Sequence, residues 1–295
     1  MGIIFSRAKM MLEAKAQGVD FSSTLILGRQ KNNMTLGELA FLRKLYNIEP
    51  HPETGELLEY RSYADFFFSH YLDVKKLSVI DCSDYENADI IHDMNDPISE
   101  SLQESFDIVI DGGTLEHIFN FPTAIKNCML MLKTGGSIFI FSMANNHCGH
   151  GFYQFSPELF FRVFDESNGF EIQSVVLVKH PFPGAELSPR QECYKVLDPK
   201  VIGRRSSLVT KSPLGIMVHA IKRKNMSIFK RFPNQSDYTS KWANVGGTKI
   251  NISENRKFFK KVYCKLPLRI RLILSGYKML WKFKLEHDKD FFQRW

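Results

Sequence analysis

Paired cysteines are the first thing this 295-residue chain lacks. Cys82, Cys128, Cys148, Cys193 and Cys264 are scattered, with no C-x-x-C among them. An odd, dispersed set argues against a disulfide framework and predicts a reducing, cytoplasmic setting. Long hydrophobic runs are missing too. No segment approaches the roughly 18 apolar residues of a membrane span. The opening MGIIFSRAKMMLEAKAQG interrupts its apolar residues with charge, which makes it a poor signal peptide. There are no repeats and no low-complexity tract. What remains is an ordinary globular composition, 44% hydrophobic and 24% charged, long enough for one large domain plus an appendage.

Acidic residues are scarce at one end. From Lys222 onward there are 19 Lys and Arg against 5 Asp and Glu, whereas residues 1–221 carry 20 against 27. The net charge of +7 thus joins a mildly acidic body to a strongly basic tail. That shift, with the pattern below, divides the chain into an amino-terminal helix (1–20), a main domain (21–225) and a basic extension (226–295).

Periodicity supplies the elements. Ile4, Ala8, Met11 and Leu12 mark one side of the first helix. STLIL (Ser23–Leu27) reads as a strand, and Thr35 with Glu38 as a capping box for a helix through Leu45. Residues 47–60 read as loop and Tyr63–Leu72 as an aromatic-rich helix. Further strands are expected at Leu77–Asp81, Ala88–His92, Asp107–Ile110, Ser137–Phe141, Glu171–Val178 and Leu214–Ala220. Between the fourth and fifth, Ala124, Cys128, Met131 and Leu132 recur at helical spacing, and Lys133-Thr134-Gly135-Gly136 reads as the helix stop. Ser156 reads as an N-cap before Pro157. Strands alternating with helices predict an α/β fold with a doubly wound, mostly parallel sheet. Ligands of such sheets bind beyond the carboxyl ends of the strands, so the residues after each strand are the candidate site.

The ordered stretch FDIVIDGGTLEHIFNFPTAIKNCMLMLKTGGSIFIFSMANNHCGHGFYQFSPELFF (106–161) resembles the fourth and fifth strands of class I S-adenosylmethionine-dependent methyltransferases, including type 11-like bacterial members found near surface-polysaccharide genes. The resemblance implies a Rossmann-like methyltransferase fold and S-adenosylmethionine as cofactor. It places Gly28 and Arg29 at the cofactor's tail, Asp81 on the ribose hydroxyls and Asp93 at the adenine edge. It also puts Met94 on the adenine face, with Asp111, Gly112 and Gly113 bordering the pocket. Asp84 and Glu86 lie close to Asp81 as substitutes. Where the family has several glycines after the first strand, LILGRQKNN has Gly28 alone, and about 50 residues separate it from Asp81. Arg29 or Gln30 then takes over the tail, or the cofactor is not bound.

For catalysis the candidates are His117 and His150, since a neutral imidazole can accept a proton from a substrate hydroxyl. Asn146, His150, Tyr153 and Gln154 suit a hydroxyl-rich substrate such as a saccharide, or serve a well-bonded loop. His147, Cys148 and His150 share that loop but have no second ligand pair at zinc-like spacing, so no metal site is expected. Residues 181–213 read as an insertion of the kind that forms lids, with Arg204-Arg205 open to an acidic group. The tail from Arg256 interleaves basic and bulky apolar residues. It suits an anionic membrane surface, a partner subunit, packing on its own domain or nucleic acid, with Pro267 and Gly276 dividing it into two short helices. The expected function is methyl transfer to a hydroxyl of a small polar or saccharide acceptor. A non-catalytic scaffold with a degenerate cofactor loop and an RNA-directed methyltransferase are the alternatives.

Overall fold

The computed structural model describes residues 2–180, 191–205, 207–243, 263 and 266–295. The chain forms two compact units, Met1–Cys193 with Ser212–Pro233, and Tyr194–Lys211 with Asn234–Trp295. The second unit therefore begins at Asn234 and also takes in most of the segment expected to be a lid.

The main strands are β1 (Gly2–Ile3), β2 (Ser23–Leu27), β3 (Lys31–Asn32), β4 (Lys76–Asp81), β5 (Ile90–Ile91), β6 (Phe106–Asp111), β7 (Leu132–Asn145) and β8 (Phe170–Lys179). β9 (Glu192–Val196), β10 (Leu214–Lys222) and β11 (Phe292–Arg294) follow. In the first unit seven strands lie in the order β8-β10-β7-β6-β2-β4-β5. β5, β4, β2, β6 and β7 pair in parallel, while β10 runs antiparallel to both β7 and β8. Taken in chain order, the parallel strands stand third, second, first, fourth, fifth. That is the doubly wound nucleotide-binding order, with its reversal between β2 and β6. The expected α/β class holds, and the last strand enters the sheet interior reversed.

The helices are α1 (Phe5–Ala16), α2 (Leu36–Leu45), α3 (Thr54–Leu57), α4 (Phe121–Met131) and α5 (Pro157–Val163), with α6 (Pro199–Ile202) and α7 (Ser236–Ala243) in the second unit. Ile108, Val109 and Ile110 on β6 and Ile138 to Phe141 on β7 are fully buried, as strands covered on both faces must be. α4 packs on β6 and β7, and α5 on β8. Ile4, Ala8, Met11 and Leu12 are buried as their spacing predicts. The Thr35–Glu38 capping box is complete.

Six local expectations need correction. The first helix begins only at Phe5, because Gly2–Ile3 pairs in parallel with Lys31–Asn32. Residues 47–60 hold the one-turn α3, and Phe67–Tyr71 is a π-helical turn. Lys133–Gly136 does not cap α4. The chain passes straight into β7, whose register against β6 jumps from Phe106↔Leu132 to Ile108↔Ser137, so the glycines sit in a bulge. Ser156 precedes α5 but makes no side-chain cap bond. Gly276 does not divide the tail, since one helix runs Leu268–Lys282 directly after Pro267. Residues 256–262, 264 and 265 of the tail, and 181–190 of the insertion, lie outside the described residues.

Candidate functional site

The order reversal places the carboxyl ends of β2 and β6 side by side, with Leu27 paired to Asp111. Gly28 follows in the left-handed region, φ +66°, and its N–H donates to Ile80 O at 2.9 Å. A Cβ on Gly28 would stand 3.3 Å from Thr114 Oγ1 and 3.6 Å from Asp81 Oδ2. Glycine is therefore required by its dihedral, and its missing side chain leaves a cradle between three adjacent strand ends. Thr114 is fixed there by donating to Leu27 O at 3.0 Å, and Asp81 by accepting Cys82 N–H at 2.6 Å.

The other expected cofactor residues divide. Asp93 is exposed and accepts both the N–H and the side-chain amide of Asn95; the backbone bond, then the amide, holds its carboxyl below the ordinary range. Met94 is buried. Three asparagines that composition alone does not single out tie this loop to α4. Asn120 bonds Asn95, and Asn127 Nδ2 donates to Asp96 O at 2.7 Å. Arg29 does not stand open. It bonds Asp65 at 3.1 and 3.3 Å, and its guanidinium lies 4.5 Å over the Tyr63 ring. Gln30 is buried, donates to Leu27 O and Gly28 O, and lays its carboxamide against Gly112. Asp111 is fully buried. Its Oδ1 accepts the N–H groups of Gly113, Thr114 and Leu115, so it builds the turn and does not line the crevice. Burial, then the neighbouring Glu116, raises its pKa despite those three bonds.

Glu116 and His117 stand in a single 3₁₀ turn, Leu115–His117, ahead of α4. Glu116 is fully buried, and burial is the main cause raising its pKa. Ser142 Oγ, from β7, donates to its Oε2 at 2.8 Å. Its Oε1 has no hydrogen-bond partner and lies 3.7 Å from His150 Nε2. The His117 and His150 rings are 5.2 Å apart at their centroids. The loop carrying His150 is pinned to this turn, because Phe152 and Tyr153 N–H both donate to Glu116 O. Glu116, which the sequence analysis did not single out, is thus at the centre of the cluster.

The predicted substrate residues mostly hold their own loop. Tyr153 Oη donates to Phe119 O at 2.6 Å, Gln154 Oε1 accepts His147 N–H at 2.8 Å, and Asn146 Nδ2 donates to Ser212 O at 3.0 Å. His150 alone of that set faces the cluster. Exposed Phe119 and Phe152 stand beside it, 5.8 Å apart and edge to face. In the second unit Arg204 pairs with Asp288 and Asp290, and Arg205 with Asp237, so this arginine pair is internally satisfied.

No family model and no curated protein matches the chain. Solved structures do. The N-methyltransferase NodS of Bradyrhizobium japonicum is 15% identical, covering 74% of this chain and 96% of its own, at a TM-score of 0.37. A SAM-dependent methyltransferase of Thermotoga maritima is 16% identical, over 73% of this chain and 89% of its own, at 0.36. The branched-chain polyamine synthase of Thermus thermophilus, solved with 5'-methylthioadenosine, is 11% identical, over 77% and 59%, at 0.35. These values record a likeness and carry no activity across. The strand order and its reversal at β2/β6 stand on their own: the chain has a Rossmann-like, doubly wound sheet, the fold expected of a class I S-adenosylmethionine-dependent methyltransferase.

Proposed function

We propose that this protein transfers a methyl group from S-adenosylmethionine to a hydroxyl of a small polar acceptor. The observation that carries the reading is the Gly28–Asp81–Thr114 cradle at the topological switch point, open backbone beside a strand-end carboxylate. When bound, the cofactor would supply an electrophilic methyl. Asp81 would accept the ribose hydroxyls, Met94 would lie under the adenine, and Asp93 would meet its edge through the oxygen not used by Asn95. On the acceptor side His150, oriented by buried Glu116, accepts the hydroxyl proton. The His117 ring stands 5.2 Å from that of His150. Positioning and one base suffice for such a transfer.

A saccharide acceptor, as in surface-glycan synthesis, is favoured by the exposed Phe119–Phe152 pair beside the histidines, since aromatic faces suit the apolar side of a sugar ring. One observation favours a second reading, a non-catalytic binding module: Gln30 fills the space against Gly112, and Arg29 is already paired with Asp65. Calorimetry with S-adenosylmethionine separates the two. Micromolar binding, weakened at least tenfold by Asp81→Asn, is the expected result. No heat from well-folded wild-type protein would leave the scaffold reading standing.

The basic tail supports peripheral contact with an anionic membrane. Helix Leu268–Lys282 contains no buried residue, and Leu272, Ile273, Leu280 and Trp281 are exposed among Arg269, Arg271, Lys278 and Lys282 with no acidic residue.

A further inference from the structure

Glu116, His117 and His150 each offer one ligand atom, and these atoms all lie within 4.8 Å of one another. We propose that the three residues form a binding site for a divalent transition-metal ion of the zinc class. Bonds of about 2.0 Å in tetrahedral geometry need ligand atoms roughly 3.3 Å apart. The Glu116 Oε1–His150 Nε2 pair already stands at 3.7 Å, and small rotations of the two exposed imidazoles supply the rest.

Three features distinguish this cluster from a chance meeting of polar side chains. The first is the unsatisfied oxygen. Glu116 is fully buried, and its Oε1, aimed at His150, has no hydrogen-bond partner. A buried carboxylate oxygen left so keeps its desolvation cost uncompensated, a deficit that a cation removes. The second is the support behind the ligand. Ser142 Oγ holds the other carboxylate oxygen at 2.8 Å, as ligating carboxylates are commonly held. The third is the covalent spacing. Glu116 and His117 are adjacent in one turn, and His150 is brought to them by the Phe152 and Tyr153 N–H bonds to Glu116 O at 2.9 and 3.2 Å. Both histidines are exposed, so an ion can enter. Two imidazoles and one carboxylate suit zinc, iron or cobalt better than magnesium or calcium.

Three protein ligands leave at least one position open, as in catalytic rather than structural sites. If the methyl-transfer reading holds, a metal-bound His150 serves as ligand and no longer as base, and the ion would ease loss of the acceptor hydroxyl's proton to solvent. Metal binding itself does not depend on that reading.

The test uses tag-free, full-length protein stripped with a chelator. Titration with Co²⁺ is followed by visible absorption, and Zn²⁺ binding by calorimetry. One ion per chain is expected, with affinity reduced at least tenfold in His117→Ala and in His150→Ala, both exposed positions. Ser142→Ala, which keeps all three ligands, should weaken binding by about 10–100-fold. Absence of a cobalt spectrum in folded protein overturns the proposal. So does binding that survives both histidine substitutions, which would assign the ion elsewhere. Calorimetry with S-adenosylmethionine, run on stripped protein, reports the cofactor site separately, so either proposal can fail alone.

Discussion

Single residues here divide according to whether their neighbours in sequence or in space decide them. The strand-end place of Asp81 was legible, because the run LSVID sets it. Asp111 was not: the family resemblance put it at the pocket, but three N–H groups of the following turn draw its carboxylate inward, where it is fully buried. Glu116 was hidden for the opposite reason, since its partners Ser142 and His150 are 26 and 34 positions away and leave no local trace. His219 is another buried group that gives no sequence signal. It stacks on Phe139 at 4.4 Å and faces Ser137, and burial, aided by Arg223, depresses its pKa to about 4. Between about 4 and the unfolded value near 6.5 the unfolded chain binds a proton that the native chain refuses. His219 therefore contributes fully above pH 6.5, and that contribution is lost as pH falls toward 4. Urea unfolding across this window should show His219→Gln with a shallower pH slope than wild type, by up to about 1.4 kcal/mol per pH unit. Parallel slopes would refute the assignment.

At the scale of elements, strands and capped helices were readable because period and caps are local properties, and the Thr35–Glu38 box formed as spelled. What misled was glycine. Gly135-Gly136 resembled a helix stop, yet the pair lies in a bulge of β7, because the ladder with β6 outweighs a local cap. Gly151, by contrast, is where an element is joined to the site. A Cβ there would come within 2.8 Å of Glu116 O and 3.2 Å of His117 Nδ1. Its dihedrals are not left-handed, so Gly151→Ala tests contact alone. The substitution should push the loop off the Glu116 turn, strain two backbone hydrogen bonds and cost about 2 kcal/mol in unfolding experiments. Histidine ring signals of residues 117 and 150 should shift. Unchanged ring signals would show that the loop does not position His150.

For the whole molecule, charge asymmetry was the informative sequence feature, and it set a boundary near residue 225, whereas the second compact unit joins Tyr194–Lys211 to Asn234–Trp295. Segments distant in sequence complete that unit through pairs such as Arg204–Asp288, which composition cannot reveal. Its helix Leu268–Lys282 has 15 residues, a length of about 22 Å, short of the roughly 30 Å hydrocarbon core. No described helix is long and apolar enough to cross a membrane. A helix that is short, basic and exposes Leu272, Ile273, Leu280 and Trp281 is instead suited to lie along an anionic interface. Each basic side chain near such a surface contributes about 1 kcal/mol, screened by salt. Full-length protein should therefore sediment with vesicles rich in anionic lipid, release as salt rises, and ignore vesicles of neutral lipid. Arg269→Gln with Arg271→Gln should weaken partitioning by about 2 kcal/mol, close to thirtyfold. Trp281→Glu should weaken it further through lost apolar burial, without lowering the cooperativity of unfolding, because Trp281 is 64% exposed. Failure to bind anionic vesicles, or salt-sensitive binding to RNA in their place, would reassign the tail.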